Sequence, residues 1–258
     1  MTDIHPSAIV SPKAEIGNDV SVGPHAIIED DVVIGDGCRI GSSALVASGA
    51  RLGKNVKLSH SAVVGTQPQD LKFGGEATEA RIGDNTIIRE FVTVNRGTKW
   101  RGYTSVGKDC LLMTYAHVAH DCLIGDNAIL ANAVNLGGHV EIGEWAICGG
   151  VLAVHQFVKI GAHAMIGGGF RVVQDACPYA LLAGYPLKVM GVNAVGLERR
   201  GFPAETVKLL SRAFKILFFS RLNTTQALER IRDEVELIPE IQYLLDFIAD
   251  STRGIIKH

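Results

Sequence analysis

The chain has 258 residues, with 25 Lys and Arg against 27 Asp and Glu and a formal net charge of −2. That length suits one large or two modest domains, and the even charge balance offers no basic surplus for nucleic acid. Hydrophobic residues make up 47% and charged ones 20%, a soluble globular balance in which no run of about eighteen apolar residues could span a bilayer. The first ten residues lack a charged-then-apolar signal pattern, so a cytosolic address is the expectation.

From the start an apolar residue returns every sixth position: Ile4, Val10, Ile16, Val22, Ile28, Ile34, Ile40, Val46, Leu52, Leu58 and Val64. The beat resumes at Ile82, Ile88 and Val94. It then runs without a slip from Val106 through Leu112, Val118, Ile124, Leu130, Leu136, Ile142, Cys148, Val154, Ile160 and Ile166 to Val172. Two residues before each return in this last run sits a second small or apolar side chain, from Cys110 and Ala116 to Ala164 and Phe170. Residues two apart on an extended chain share a face, so each hexad sends two side chains inward and then turns. No α-helix has a strict period of six; short parallel strands stacked as a solenoid do. Cys38, Cys110, Cys122 and Cys148 fall on inward positions and read as core filler. Cys177 alone lies outside the pattern, and there is no CxxC or Cys/His metal spacing.

The beat is interrupted between Val64 and Ile82 and between Val94 and Val106, intervals of 18 and 12 residues. Both are multiples of six, so the coil phase survives while about twelve and about six extra residues leave it. Segments 66–81 and 96–105 are therefore predicted as surface excursions, where functional groups gather on a rigid scaffold.

The strand pattern stops near Asp175, and after Gly184-Tyr185-Pro186 the period turns helical. Asn193 is predicted to cap a short helix ending at Gly201. Pro203 opens a longer one through Ser220, and Asn223 or Thr224 caps a third. Pro239 to Arg253 forms a fourth, closed by Gly254. The expected division is a coil over residues 1–183 and a helical domain over 184–258.

If three hexads close one lap, residues eighteen apart stack at roughly 4.8 Å. His120 then lies against Gly138, and Gly138 against Gln156. Asp121 meets His139, while Ala119 meets Gly137 and then His155. Histidines, one carboxylate and a glycine pair thus gather on one edge. Imidazole, with an ordinary pKa of about 6.5, suits a general base near neutral pH. A bare glycine N–H one lap away can face a developing oxyanion. His117 and His120 with a neighbour's histidine would instead suit a zinc-dependent β-helical hydratase, and a non-catalytic binding solenoid is the third reading.

The hexads, of the form [Ile/Leu/Val]-Gly-x-x-x-x, resemble the hexapeptide acyltransferase superfamily. The resemblance narrows on QDLK at 69–72, IRE–VT–NRGT within 88–98, AHVAHDC at 116–122, GGHV at 137–140, AVHQF at 153–157, IGAH at 160–163 and ERRGF at 198–202. These strings are similar to those of the UDP-N-acetylglucosamine O-acyltransferases, nearly end to end. The resemblance implies a left-handed parallel β-helix of hexapeptide repeats with a C-terminal α-helical domain, assembled as a homotrimer with sites between subunits. It implies transfer of an (R)-3-hydroxyacyl group from acyl carrier protein to the 3-hydroxyl of UDP-N-acetylglucosamine, the first step of lipid A synthesis, without metal or organic cofactor.

Carried onto this sequence, the family's roles fall on His120 as base, Asp121 beside it, and the Gly138 N–H as oxyanion donor. Asp70, Lys72, His117, His139, His155 and Gln156 would bind the sugar, and Asn193, Arg199 and Arg200 the nucleotide end. Gly168 would set acyl length, its missing side chain leaving room for a longer chain. His163 reads either as structural or as substrate-lining, and His5, His25, His60 and His258 as surface residues. Two positions depart from the family: Asn95 stands where His is common, and Val195 where an acid is common. A 3-amino sugar therefore stays open as the acceptor. Between Arg199 and Arg221 six basic residues accompany one acid, Glu205, which suits either an acidic carrier protein or a solvated helix face.

Overall fold

The structure, a computed structural model, describes residues 2–257. Most hexads contribute a two-residue strand, such as Leu111–Leu112, His117–Val118 and Leu123–Ile124. These three pair in parallel with Ile129–Leu130, Asn135–Leu136 and Glu141–Ile142, each partner 18 residues on. Every third strand thus joins the same sheet, and three sheets form the sides of a left-handed parallel β-helix. Lys57 pairs with Ile87 and Ile87 with Leu111, offsets of 30 and 24 residues. The two excursions accordingly add twelve and six residues to a lap, with a local register shift where Thr66 pairs with Asn95 at their departure, and the later laps keep their register.

The inward positions explain why this sequence winds up. Leu112, Leu130, Cys148 and Ile166 form one fully buried column, with Cys110, Ala128, Ala146 and Ala164 as its small partners. Burying each Leu or Ile contributes about 1.5–3 kcal/mol, and the small partners keep the three walls close. All five cysteines are free and buried. Burial pushes the Cys110 thiol up to about 11 and Cys122 and Cys148 to about 12, so these are inert filler.

From Asp19 onward most corners turn through one residue with left-handed φ. Asp121, His139 and Phe157 do so on one edge (φ 60°, 63° and 64°). Trp145, His163 and Tyr179 do so on a second, and Tyr115, Ala133 and Val151 on the third. That conformation costs an ordinary L-residue roughly 1–2 kcal/mol, less for Asp or Asn, so the interior must outweigh it at every lap.

Strand structure continues past the predicted stop. Ala180–Ala183 pairs in parallel with Met165–Ile166, then antiparallel with Lys188–Val192. Residue 184, the expected start of the helical segment, lies in the turn of that hairpin. Four helices follow: α1 (Ala194–Arg199), α2 (Ala204–Phe219), α3 (Thr224–Glu234) and α4 (Pro239–Ala249). The Asn193 side chain caps α1, and Asn223 makes a reciprocal capping box with Gln226 on α3. Val207, Leu210, Phe214 and Leu217 are the buried face of α2, as their spacing predicts.

Helix α4 stops at Ala249 rather than Arg253. Beyond it Ser251 Oγ donates to Asp175 Oδ2 at 2.6 Å, and Ile255 bridges to Asp175. The tail is drawn back onto the last lap and covers its open end. Among the described residues no helix is long and apolar enough to cross a membrane.

Candidate active site

The edge carrying Asp121, His139 and Phe157 gathers the predicted chemistry. A Cβ built on Gly138 would lie 2.5 Å from His120 Cε1, 2.6 Å from Nε2 and 3.1 Å from Nδ1. The imidazole therefore rests directly on bare main chain one lap later, and only glycine admits it there. His139 N–H donates to the His120 carbonyl at 3.0 Å, and Phe157 N–H to that of Gly138 at 3.1 Å, locking three laps in step.

Neighbouring residues on a strand point apart, yet His120 Nδ1 lies 2.8 Å from Asp121 Oδ2. The left-handed turn at Asp121 swings its carboxylate back under the ring. Asp121 is fully buried, while the His120 side chain retains 14% of its surface. A carboxylate accepts, so Nδ1 donates to it and, in the neutral ring, Nε2 carries the lone pair.

Further imidazoles surround this pair. The ring of His139 stands perpendicular to His120 at 5.0 Å, stacks on Phe157 at 4.3 Å and meets Trp100 edge-on at 4.6 Å. Its Nδ1 is buried without a hydrogen-bond partner in the structure and lies 3.8 Å from Asp121 Oδ2. Burial holds His139 below the usual histidine range, with His120 and Arg101 adding to the shift and Asp121 and Asp70 opposing it. His117 is held down by burial and by nearby His120, and its Nδ1 pairs with Thr93 Oγ1 at 2.7 Å. Both rings are thus neutral hydrogen-bonding groups near pH 7. His155 Nδ1 donates to the Gln156 carbonyl at 3.2 Å, and Gln156 is exposed. In the first excursion Asp70 accepts the Lys72 N–H at 3.0 Å, and the Lys72 side chain is exposed.

Sequence reasoning missed part of this edge. Thr98 contacts both carboxylate oxygens of Asp121, Thr104 Oγ1 accepts the Asp121 N–H at 2.8 Å, and Trp100 covers His139. All three sit in or next to the second excursion, outside any six-residue count. The NRGT string and the predicted excursion at 96–105 marked the place but not the contacts.

Asn193 and Arg200 lie on a different edge, with His163. Asn193 Nδ2 donates to the His163 carbonyl at 3.0 Å and its Oδ1 accepts the Gly196 N–H, so its side chain is spent on holding the start of α1. Arg200 Nη1 lies 3.2 Å from His163 Nδ1, and its guanidinium centre is 5.3 Å from the Trp145 ring centroid. Arg199, on α1, is exposed. A hollow of about 510 Å³ opens beside His163, lined also by Glu144, Tyr179, Phe202 and Tyr243. Gly168 belongs to the third edge, beside Gly169, where an added Cβ would meet the Gly150 carbonyl oxygen at 2.6 Å. That contact is a close approach between laps, so a side chain there displaces the turn before it fills any channel. His5 and His25 lie on exposed coil surface with His60, as expected, and His258 is outside the described residues.

Because arginine cannot accept a hydrogen bond, His163 Nδ1 must be the acceptor and the ring neutral. Burial, then Arg200, lowers His163 to about 4. The unfolded chain takes up this proton near pH 6.5 and the folded chain only near 4, so stability falls as pH drops through that window. The full difference is roughly 3 kcal/mol. Urea midpoints at pH 7.5 and 4.5 should therefore drop further for wild type than for His163→Gln; equal drops would contradict the assignment.

His120, Asp121 and His139 also form a group of three whose donor atoms lie within 4.8 Å of one another. Such a set could geometrically hold a metal ion, although Asp121 already accepts from Thr98 and His120. His117, the ligand a hydratase would need, is instead paired with Thr93.

Relatives discriminate between these chemistries. The sequence is 50% identical over 258 residues, all of both chains, to the acyl-[acyl-carrier-protein]–UDP-N-acetylglucosamine O-acyltransferase of Thiobacillus denitrificans. It is 49% identical over 255 residues to the protein of the same name in Aliivibrio fischeri, covering 98% of this chain and 97% of that one. The chain belongs to the UDP-N-acetylglucosamine O-acyltransferase family. Residues 175–256 match the description "Udp N-acetylglucosamine O-acyltransferase; Domain 2", and 13–48, 31–66 and 103–138 match "Bacterial transferase hexapeptide (six repeats)". Among solved structures, the UDP-N-acetylglucosamine acyltransferase of Bacteroides fragilis superposes with a TM-score of 0.96. It is 42% identical, with 98% of this chain and 99% of that chain covered. Membership of this acyltransferase family sets the hydratase and the non-catalytic solenoid aside.

Proposed function

We propose that the chain moves an (R)-3-hydroxyacyl group from an acyl carrier protein thioester to the 3-hydroxyl of UDP-N-acetylglucosamine, opening lipid A biosynthesis. One observation carries the assignment of roles: Nδ1 of His120 is fixed on a buried carboxylate while its ring lies on Gly138. Nε2 takes the hydroxyl proton as the sugar oxygen attacks the thioester carbonyl. The Gly138 N–H, which has no main-chain acceptor among the described residues, stabilises the oxyanion. Collapse breaks the C–S bond, and the proton on Nε2 passes to the departing thiolate. No metal or organic cofactor enters this reading.

His117, His139, His155, Gln156, Asp70 and Lys72 would line the acceptor on this edge. The nucleotide groups Arg199 and Arg200, with Asn193 supporting them, follow the His163 edge, and Gly168 the third. One chain does not bring them to one sugar nucleotide. A homotrimer does, by setting the His120 edge of one copy against another edge of its neighbour, with three clefts between subunits. The missing side chain at Gly168, by resemblance to the family, favours a longer 3-hydroxyacyl chain. Five unpaired thiols fit a reducing compartment, so the cytoplasm is the proposed address.

A 3-amino sugar is the second reading for the acceptor. Asn95 is 3% exposed and donates through Nδ2 to Thr66 Oγ1 at 2.9 Å, while its buried Oδ1 has no partner. An oxygen of that kind suits an N–H donor. The test is a panel of 3-hydroxyacyl carrier proteins offered with UDP-N-acetylglucosamine or its 3-amino analogue, with products weighed by mass spectrometry. An O-acylated product from a long-chain donor, made by a three-copy species on light scattering, is expected. Exclusive use of the amine would overturn the acceptor, short-chain preference the Gly168 role, and a fully active monomer the shared cleft.

A further inference from the structure

We propose that Thr98 is a positioning residue for the proton transfer, acting through Asp121; the inference rests on the reading of His120 as base. Thr98 N–H donates to Asp121 Oδ1 at 3.0 Å, and Thr98 Oγ1 to Oδ2 at 2.7 Å. The hydroxyl also accepts the Trp100 N–H at 3.2 Å, which directs its own hydrogen at the carboxylate. Thr98 is 7% exposed and Asp121 not at all, so water does not replace these bonds.

The carboxylate is thereby clamped at both oxygens, and its one remaining strong contact is His120 Nδ1 at 2.8 Å. An unclamped carboxylate can rotate about its terminal torsion, where rotamer wells are broad, and release the ring. The clamp fixes the plane of the acid, the acid fixes which ring nitrogen holds hydrogen, and Nε2 is left facing the substrate. The excursion that carries Thr98 is itself anchored, because Arg101 Nη2 lies 3.1 Å from Glu141 Oε1. Trp100 packs over His139 from the same turn. This short loop therefore serves as a buttress for the acid.

The test uses the full-length enzyme with carrier-protein donor and UDP-sugar. Thr98→Val keeps the backbone N–H and removes the hydroxyl; it should lower kcat about ten- to a hundredfold with both KM values within about twofold. Thr98→Ser restores the hydroxyl and should recover kcat to within about threefold. In a His120→Ala background Thr98→Val should cost nothing further, since the ring it serves is gone. Thr98→Ala repeats the test without the branched methyl, should the valine variant fold poorly. Wild-type kcat in Thr98→Val, or equal impairment in Thr98→Ser, would overturn the clamp. Wild-type turnover in His120→Ala alone would instead overturn the base assignment, so the two failures are separable.

Discussion

Replacing His120 with alanine should lower kcat about 10²–10⁴-fold, the range that a positioned general base supplies. The ring combines a hydrogen bond to a buried acid at 2.8 Å with a side chain that retains 14% of its surface. Its removal leaves Asp121 still clamped by Thr98 and leaves the inward columns untouched, so fold and oligomeric state should survive. KM for the UDP-sugar should change little, because the neighbouring neutral imidazoles remain. Steady-state kinetics together with thermal unfolding provide the check. A variant that retains more than a tenth of wild-type turnover would require another base.

Gly138→Ala is expected to be nearly as damaging, by about a hundredfold in kcat, for a steric reason. The three atoms nearest the new methyl all belong to the His120 ring, at 2.5 to 3.1 Å, so the ring must leave its place on the main chain. Leaving breaks the Nδ1 bond to Asp121 and moves Nε2 away from the oxyanion position. Alanine keeps the backbone N–H, so this variant separates space from hydrogen bonding. In a His120→Ala background the three atoms nearest the added methyl are gone, and Gly138→Ala should then cost less than threefold, a strong departure from additivity. Additive losses would show that Gly138 matters for something besides room.

Much of this edge is legible in the sequence because the chain is periodic. A six-residue beat with three beats per lap places His120 on Gly138 and Asp121 on His139 by counting alone, and both contacts are present. Counting fails where the beat stops. Thr98 reaches Asp121 across 23 residues from inside an excursion, and no spacing rule anticipates that contact. The same limit hides the Ala180–Ala183 and Lys188–Val192 hairpin and the early end of α4, both set by pairing with the last lap. Side-chain direction at the corners was also beyond a simple strand rule. Alternation says His120 and Asp121 diverge, and the left-handed turn at Asp121 brings them together.

The excursions illustrate how such a protein tolerates change in length. Each leaves and rejoins at a strand whose partner strand is still the one that whole-lap counting assigns. Inserts in multiples of six at these points lengthen a loop and spare everything downstream. A single added residue within the coil would instead exchange the lining and the exterior of every later turn. Loop length away from the Thr98 contacts can therefore vary, while the winding that sets His120 on Gly138 accepts almost no frameshift.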